Sequence, residues 1–185
     1  MTTVKLHDKE FVPYISAAEI DIVVSEIATK LNTKYQNCEQ PPVFVTVLTG
    51  AFVFGSDILR KITLDAQICF TSVSSYKGTV RSDKLECTLD IKCDVKGRDV
   101  IILDEIVDSG STVAFLKQKY LDAGAKSVAI ATLIYKPKTR IVEVDIDYFG
   151  FEMKEDKFIV GYGLDYNERG RLLKDIYSLK CSEER

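Results

Sequence analysis

Three acidic and three hydroxyl-bearing residues lie between positions 104 and 112, directly after an apolar segment. The segment 100–103 is Val-Ile-Ile-Leu, which is typical of a buried strand. Asp104 and Glu105 follow where that strand is expected to end, and Asp108 comes three positions after Glu105. A turn of small residues then leads into 113–116, which is typical of a helix. These residue types therefore meet at the boundary between a strand and a helix.

This boundary is suited to binding a phosphate group. Backbone N–H groups at a helix N-terminus favour phosphate, and Ser109, Ser111 and Thr112 can add hydroxyl donors. Gly110 lets the backbone close tightly around an anion. Carboxylates beside a phosphate repel it unless they face a metal ion or sugar hydroxyls. Ligands of parallel α/β sheets gather at the carboxyl ends of strands, so the run predicts a site for a phosphorylated sugar with a divalent cation.

The surrounding pattern predicts an α/β protein whose mainly parallel central sheet is flanked by helices. Helices are expected after a capping box at Ser16–Glu19, over about 52–62, and from 113 to a stop at Gly124. Predicted strands cover 43–48, 66–73, 100–103, 127–134, 148–151 and 158–162, after an arm or short strand in 1–15. Residues 74–97 are polar and are predicted to form a mobile excursion rather than a separate domain. Strands that alternate with helices imply a sheet covered on both faces.

Composition narrows the class of protein. The 185 residues suit one domain, and a net charge of −3 without a basic run disfavours a nucleic-acid partner. There is no apolar stretch of ~20 residues and no signal-peptide core, so we expect a cytoplasmic protein without a membrane span. Cys38, Cys69, Cys87, Cys93 and Cys181 are odd in number and lack C-x-x-C spacing, which predicts reduced thiols. No G-x-G-x-x-G follows a strand, so dinucleotide binding is disfavoured.

The run 100–112 resembles the phosphoribosyl-pyrophosphate motif of type I phosphoribosyltransferases. Further matches indicate the hypoxanthine-guanine branch, namely Leu48-Thr49-Gly50, Ser75-Tyr76, Lys136 and the segment 156–166. The resemblance covers roughly residues 8–179 and implies the type I fold in a single domain over 1–185. It implies a core at about 16–140 and a small hood for the purine base, built from the N-terminal arm and about 141–185.

The resemblance also implies the reaction. The 5-phosphoribosyl group would pass from phosphoribosyl pyrophosphate to hypoxanthine, and to guanine as well, with Mg²⁺ as cofactor. Asp108 would be the general base that takes a proton from the purine ring, and Lys136 would donate to the 6-oxo group. Asp104 and Glu105 would hold the ribose hydroxyls near the metal, and which of them reaches the sugar stays open. Asp165 would contribute to a metal site through bound water.

The remaining substrate contacts follow from the same resemblance. Phe158 would stack on the purine, Ile159 would offer its backbone groups, and Arg171 would approach pyrophosphate. The other implied contacts are Thr49, Gly50, Ser75, Tyr76, Ile106, Val107, Ser109, Gly110, Ser111, Thr112 and Lys157. A homodimer or homotetramer is expected. A xanthine-preferring transferase and a regulatory nucleotide-binding protein on the same fold are the alternatives, because fold alone does not separate these functions.

Overall fold

The protein contains two sheets and three helices in the part of the chain that the structure describes. The structure is a computed structural model that describes residues 2–77 and 81–180, with the backbone alone at 75–77 and 81–84. In chain order the elements are β1 (Val4–Leu6), β2 (Lys9–Ile15), α1 (Ala17–Tyr35), β3 (Val43–Leu48), α2 (Phe52–Leu59), β4 (Gln67–Lys77), β5 (Arg81–Leu89), β6 (Asp99–Val107), α3 (Ser111–Asp122), β7 (Ser127–Tyr135), β8 (Tyr148–Glu152), β9 (Ile159–Val160) and β10 (Ile176–Leu179).

The larger sheet has the strand order β5-β4-β3-β6-β7-β8, and only the β4–β5 pair is antiparallel. Its two faces are covered by different helices. Phe44, Ile101 and Leu103 belong to the core cluster that contains the buried residues of α1 and α2. Val45 and Ile102 instead pack with the buried residues of α3. The predicted α/β class, with a mainly parallel sheet between helices, is confirmed.

The strand order places a crevice between β3 and β6. The chain leaves β3 through α2 and pairs next on one side as β4, whereas it leaves β6 through α3 and pairs on the other side as β7. Since β3 and β6 are parallel neighbours, the segments that follow them diverge at the same edge of the sheet. Such a switch in strand order is where open α/β sheets bind ligands.

The first helix begins as its local sequence predicts. The backbone N–H of Glu19 donates to the Ser16 side chain at 3.3 Å, and the N–H of Ser16 donates to the Glu19 carboxylate at 2.9 Å. This reciprocal capping box satisfies N–H groups that have no partner within the helix. The apolar residues spaced along α1, including Ile20 and Leu31, are buried against the sheet.

Three predicted boundaries are wrong. The second helix ends at Leu59, not at residue 62. The strand predicted over 100–103 runs from Asp99 to Val107, so the first two acids lie within β6, because β6 keeps its pairing with β7 as far as Tyr135. The strand predicted over 66–73 continues to Lys77, and β5, which was not predicted, returns antiparallel to it.

The smaller sheet joins the two ends of the chain in the order β1-β2-β10-β9. β10 was not predicted from the sequence, and its pairing with β2 depends on residues more than 160 positions away. β9 is shorter than predicted and excludes Phe158. Among the residues with described positions, no helix is long and apolar enough to cross a membrane.

Two cysteines that are distant in sequence lie close together. Cys69 in β4 and Cys93 after β5 are neighbours, with Cα atoms 7.1 Å apart. The β4–β5 pairing brings the two residues together across 24 positions, which their spacing does not indicate. Cys38 and Cys87 are free thiols, and Cys181 lies outside the described residues.

Candidate active site

The turn between β6 and α3 lines a small cavity. Gly110 is the N-cap residue of α3 and has φ +80°, a conformation that favours glycine. A Cβ at this position would lie 2.7 Å from the Val142 carbonyl oxygen, so the space also requires glycine. The Ser109 hydroxyl accepts from the N–H of Ser111 at 3.3 Å. The cavity has a volume of about 100 Å³ and is lined by Asp104, Ile106, Asp108, Ser109, Gly110, Thr112 and Val113. All of them except Val113 were predicted to contact the substrate.

The first two acids are adjacent carboxyl groups, of which Asp104 is buried and Glu105 is partly buried. Asp104 is only 8% exposed, and burial holds its pKa well above the ordinary range, with the neighbouring Glu105 charge and hydrogen bond adding to the shift. Burial also raises the pKa of Glu105, against the opposing hydrogen bond from Asp104 and the attraction of Arg171. A buried carboxyl group next to a second acid favours keeping its proton over adding another negative charge. A divalent cation bound beside them would relieve the same repulsion, so this pair fits a metal ion.

The two acids point to different parts of the crevice. Asp104 lines the cavity of the β6–α3 turn. Glu105 lies against the loop after β3, where a Cβ added at Gly50 would collide with its carboxylate. Gly163 approaches the same loop, since a Cβ there would collide with the Gly50 carbonyl oxygen. The Leu48–Thr49 peptide in this loop is cis, and the Thr49 side chain is exposed.

Lys136 and Asp108 lie side by side at the carboxyl ends of β7 and β6. Lys136 is 5% exposed, and its backbone N–H donates to the Val107 carbonyl at 2.9 Å. The ammonium donates to the Lys157 carbonyl at 2.9 Å and to Asp156 Oδ1 at 3.1 Å. It lies 4.0 Å from Asp108 Oδ2. The buried Lys136 ammonium and the half-exposed Asp108 carboxylate are therefore neighbours at the carboxyl edge of the larger sheet.

Phe158 presents an aromatic surface near this pair. Its side chain is 47% exposed, and its ring meets Tyr166 edge-to-face with centroids 5.9 Å apart. Ile159 follows in β9, where its side chain is buried in the core and its backbone pairs with Ser178. The Lys157 ammonium pairs with Glu155 at 2.8 Å, and its carbonyl is the group that meets Lys136.

Arg171 and Asp165 form an ion pair beside the same crevice. The guanidinium lies 2.9 Å from Asp165 Oδ1 and 3.1 Å from Glu168, and it donates to the Gly163 carbonyl at 2.9 Å. Arg171 is also close enough to lower the pKa of Glu105 in part. The side chains within 2–77 and 81–180 form no cluster of three or more His, Cys, Asp or Glu residues placed to hold a metal ion. Any metal bound here would need ligands beyond these side chains.

Some predicted substrate contacts do not have side chains that the structure places in the site. Val107 is 2% exposed and packs in the core with α3, because the end of β6 turns its side chain inward. Only the backbone of Val107 can face a ligand. Ser75 and Tyr76 lie in β4, and their side chains are outside the described residues. Asp156 contacts Lys136, although no role was predicted for it beyond its place at the start of the segment 156–166.

Residues 16–167 match the family model for the phosphoribosyl transferase domain. This range contains β3, the β6–α3 turn and Lys136, so the matched region carries most of the site just described. The chain belongs to the phosphoribosyltransferase family.

Individual relatives indicate the branch of the family to which the chain belongs. The hypoxanthine-guanine phosphoribosyltransferase of Bacillus subtilis is 40% identical over 175 residues, which cover 94% of this chain and 95% of that protein. The hypoxanthine phosphoribosyltransferase of Escherichia coli K12 is 34% identical over 163 residues, covering 88% and 91%. A bifunctional TilS/HprT protein of Listeria monocytogenes is 40% identical, but the chain spans only a quarter of its length. These matches place the chain in the hypoxanthine-guanine branch.

Solved structures agree with this fold. A hypoxanthine-guanine phosphoribosyltransferase from Bacillus anthracis superposes with a TM-score of 0.83 at 35% identity, covering 91% of this chain and 97% of that one. A hypoxanthine phosphoribosyltransferase from Staphylococcus aureus gives 0.84 at 31% identity, covering 91% and 90%. The prediction of the type I phosphoribosyltransferase fold is confirmed.

Proposed function

We propose that this protein transfers the 5-phosphoribosyl group of phosphoribosyl pyrophosphate to hypoxanthine and guanine, yielding the nucleoside monophosphate and pyrophosphate in purine salvage. The observation that carries the proposal is the pair formed by Lys136 and Asp108. A buried ammonium lies 4.0 Å from a carboxylate, directly beside the small cavity of the β6–α3 turn. Such a pair offers one donor and one proton acceptor to adjacent positions of a single ligand.

The base would be recognised through this pair. Ammonium only donates hydrogen bonds, so Lys136 suits the 6-oxo group of hypoxanthine or guanine and opposes the 6-amino group of adenine. Asp108 would accept the ring proton as the purine nitrogen attacks C1 of the ribose. Phe158 would stack on the ring with its exposed face, and Ile159 would offer backbone groups to the purine edge. A site with buried polar contacts can reject a mismatched ligand by orders of magnitude.

The phosphoribosyl group would lie across the crevice. The 5′-phosphate would bind the turn from Ser109 to Thr112, because hydroxyls and backbone N–H groups line that cavity. Asp104 faces the same cavity and would hold ribose hydroxyls, with Ile106 beside it. The backbone of Thr49 and Gly50 would contact pyrophosphate, to which Arg171 would add a positive charge.

Magnesium would bind near the buried acids. Glu105 would be its main side-chain ligand, with Asp104 next to it and Asp165 acting through water, while substrate oxygens complete the shell. When bound, the ion would supply positive charge to the departing pyrophosphate. The adjacent Asp104 and Glu105 carboxyl groups, of which Asp104 is buried, favour a positive partner and support this assignment.

The remaining expectations complete the proposal. The chain would act as a single domain over 1–185, with a core at about 16–140 and a hood formed by the N-terminal arm and about 141–185. The antiparallel sheet that joins the two chain ends supports such a hood. Ser75 and Tyr76 would belong to a lid that excludes water from the activated sugar. A cytoplasmic homodimer or homotetramer without a nucleic-acid partner is proposed.

Initial rates with hypoxanthine, guanine, xanthine and adenine test the proposal. Each base is supplied with phosphoribosyl pyrophosphate and Mg²⁺, and pyrophosphate release is measured. Rates should be high for hypoxanthine and guanine and low for adenine. A clear preference for xanthine would instead indicate the xanthine branch. Lack of reaction with every base, together with nucleic-acid binding by the folded protein, would favour a regulatory protein.

A further inference from the structure

Two carboxylates lie near the Lys136 ammonium at different distances. Asp108 lies 4.0 Å from its ammonium, too far for a hydrogen bond, whereas Asp156 Oδ1 accepts a hydrogen bond at 3.1 Å. The Lys157 carbonyl accepts a second one at 2.9 Å. An ammonium has three N–H donors. Two are thus directed to the 156–157 segment, and one is left for a ligand.

We propose that Asp156 is a positioning residue that holds the Lys136 ammonium away from Asp108. The inference rests on the proposed roles of Lys136 and Asp108 in binding and deprotonating the base. The ammonium is attracted to the Asp108 carboxylate 4.0 Å away. The shorter contact with Asp156, at 3.1 Å, competes with that attraction. Asp108 then stays available for the purine proton, and the third donor stays directed at the 6-oxo group.

The exposure of Asp156 distinguishes a positioning role from a role in stabilising the fold. The Asp156 side chain is 72% exposed, while that of Lys136 is 6% exposed. The Asp156 carboxylate is mostly solvated, and without it the Lys136 ammonium keeps the Lys157 carbonyl at 2.9 Å and the Asp108 carboxylate at 4.0 Å, so removal of Asp156 should leave the fold intact. Its effect is expected on the geometry of the buried partner.

The test compares Asp156→Ala and Asp156→Asn with Glu155→Ala. Glu155 is the matched control, because it precedes Asp156, is 70% exposed, and pairs with Lys157 rather than with Lys136. Asp156→Ala should lower kcat/KM for hypoxanthine and guanine about tenfold, the lower range for a hydrogen bond to a charged group. The KM for phosphoribosyl pyrophosphate should stay unchanged. Asp156→Asn keeps an oxygen acceptor and should recover part of the loss, while Glu155→Ala should behave as wild type.

A double-mutant cycle with Lys136→Met decides whether Asp156 acts through Lys136. The Asp156→Ala loss should disappear in the Lys136→Met background, because the group to be positioned is absent. An equal loss in both backgrounds, or wild-type kinetics of Asp156→Ala beside an impaired Lys136→Met, overturns the inference and leaves the proposed function standing. Wild-type kinetics of Lys136→Met would instead contradict the proposed role of Lys136 itself. Thermal unfolding of every variant checks that the fold is retained.

Discussion

Replacement of Lys136 by Met tests how the protein selects its base. Met keeps much of the aliphatic stem and deletes the ammonium, which is 5% exposed and donates at 2.9 and 3.1 Å to the 156–157 segment. In the complex the third donor would meet the 6-oxo group. A hydrogen bond to a charged group contributes about 1.5–3 kcal/mol, which corresponds to a loss of about 10- to 150-fold in kcat/KM.

The loss should be similar for hypoxanthine and guanine, since both carry the 6-oxo acceptor. Adenine should lose little or nothing, because its 6-amino group faces the ammonium as a second donor. The measurement is kcat/KM for the three bases in wild type and variant, with the exposed neighbour Lys138→Met as a control. An unchanged ratio of oxopurine to adenine activity would refute the specificity role and leave Lys136 as a charge beside the pocket.

Three further predictions concern the acids and the metal. Asp108→Asn removes the proton acceptor and should lower turnover by roughly 10²–10⁴, with smaller effects on binding. A near-normal rate of the chemical step, measured in the pre-steady state, would rule out Asp108 as the general base. Excess chelator should abolish turnover and Mg²⁺ should restore it, because substrate phosphates are expected to carry the ion; full activity after verified metal removal would contradict this. Burial raises the pKa of Asp104 in the folded protein, so the folded state keeps a proton that the unfolded state releases. The free energy of unfolding therefore falls as the pH rises through the folded-state pKa. Asp104→Asn should therefore raise the Tm of the metal-free protein by a few °C at pH 8 but not near pH 4, and an equal Tm at pH 8 would count against the shift.

Much of the fold and of the site can be predicted from short stretches of the sequence. The capping box at Ser16, the buried strand 43–48 and the glycine before α3 were all predicted and are confirmed. Each depends on residues within one or two turns of the chain, where periodicity and capping chemistry act directly. The grouping of Asp104, Asp108 and the hydroxyl residues around one turn is legible for the same reason.

Contacts between distant segments were decided only by the tertiary structure. Asp104 and Glu105 are adjacent in sequence, yet they face the β6–α3 cavity and the loop at Gly50 respectively, because β6 continues through both and its neighbours differ on each face. Asp156 meets Lys136 across 20 positions. Cys69 meets Cys93, and β10 pairs with β2, only because strands far apart in sequence become neighbours. Local propensity determines which residues form a strand, but strand order and sheet twist determine which side chains meet at its end.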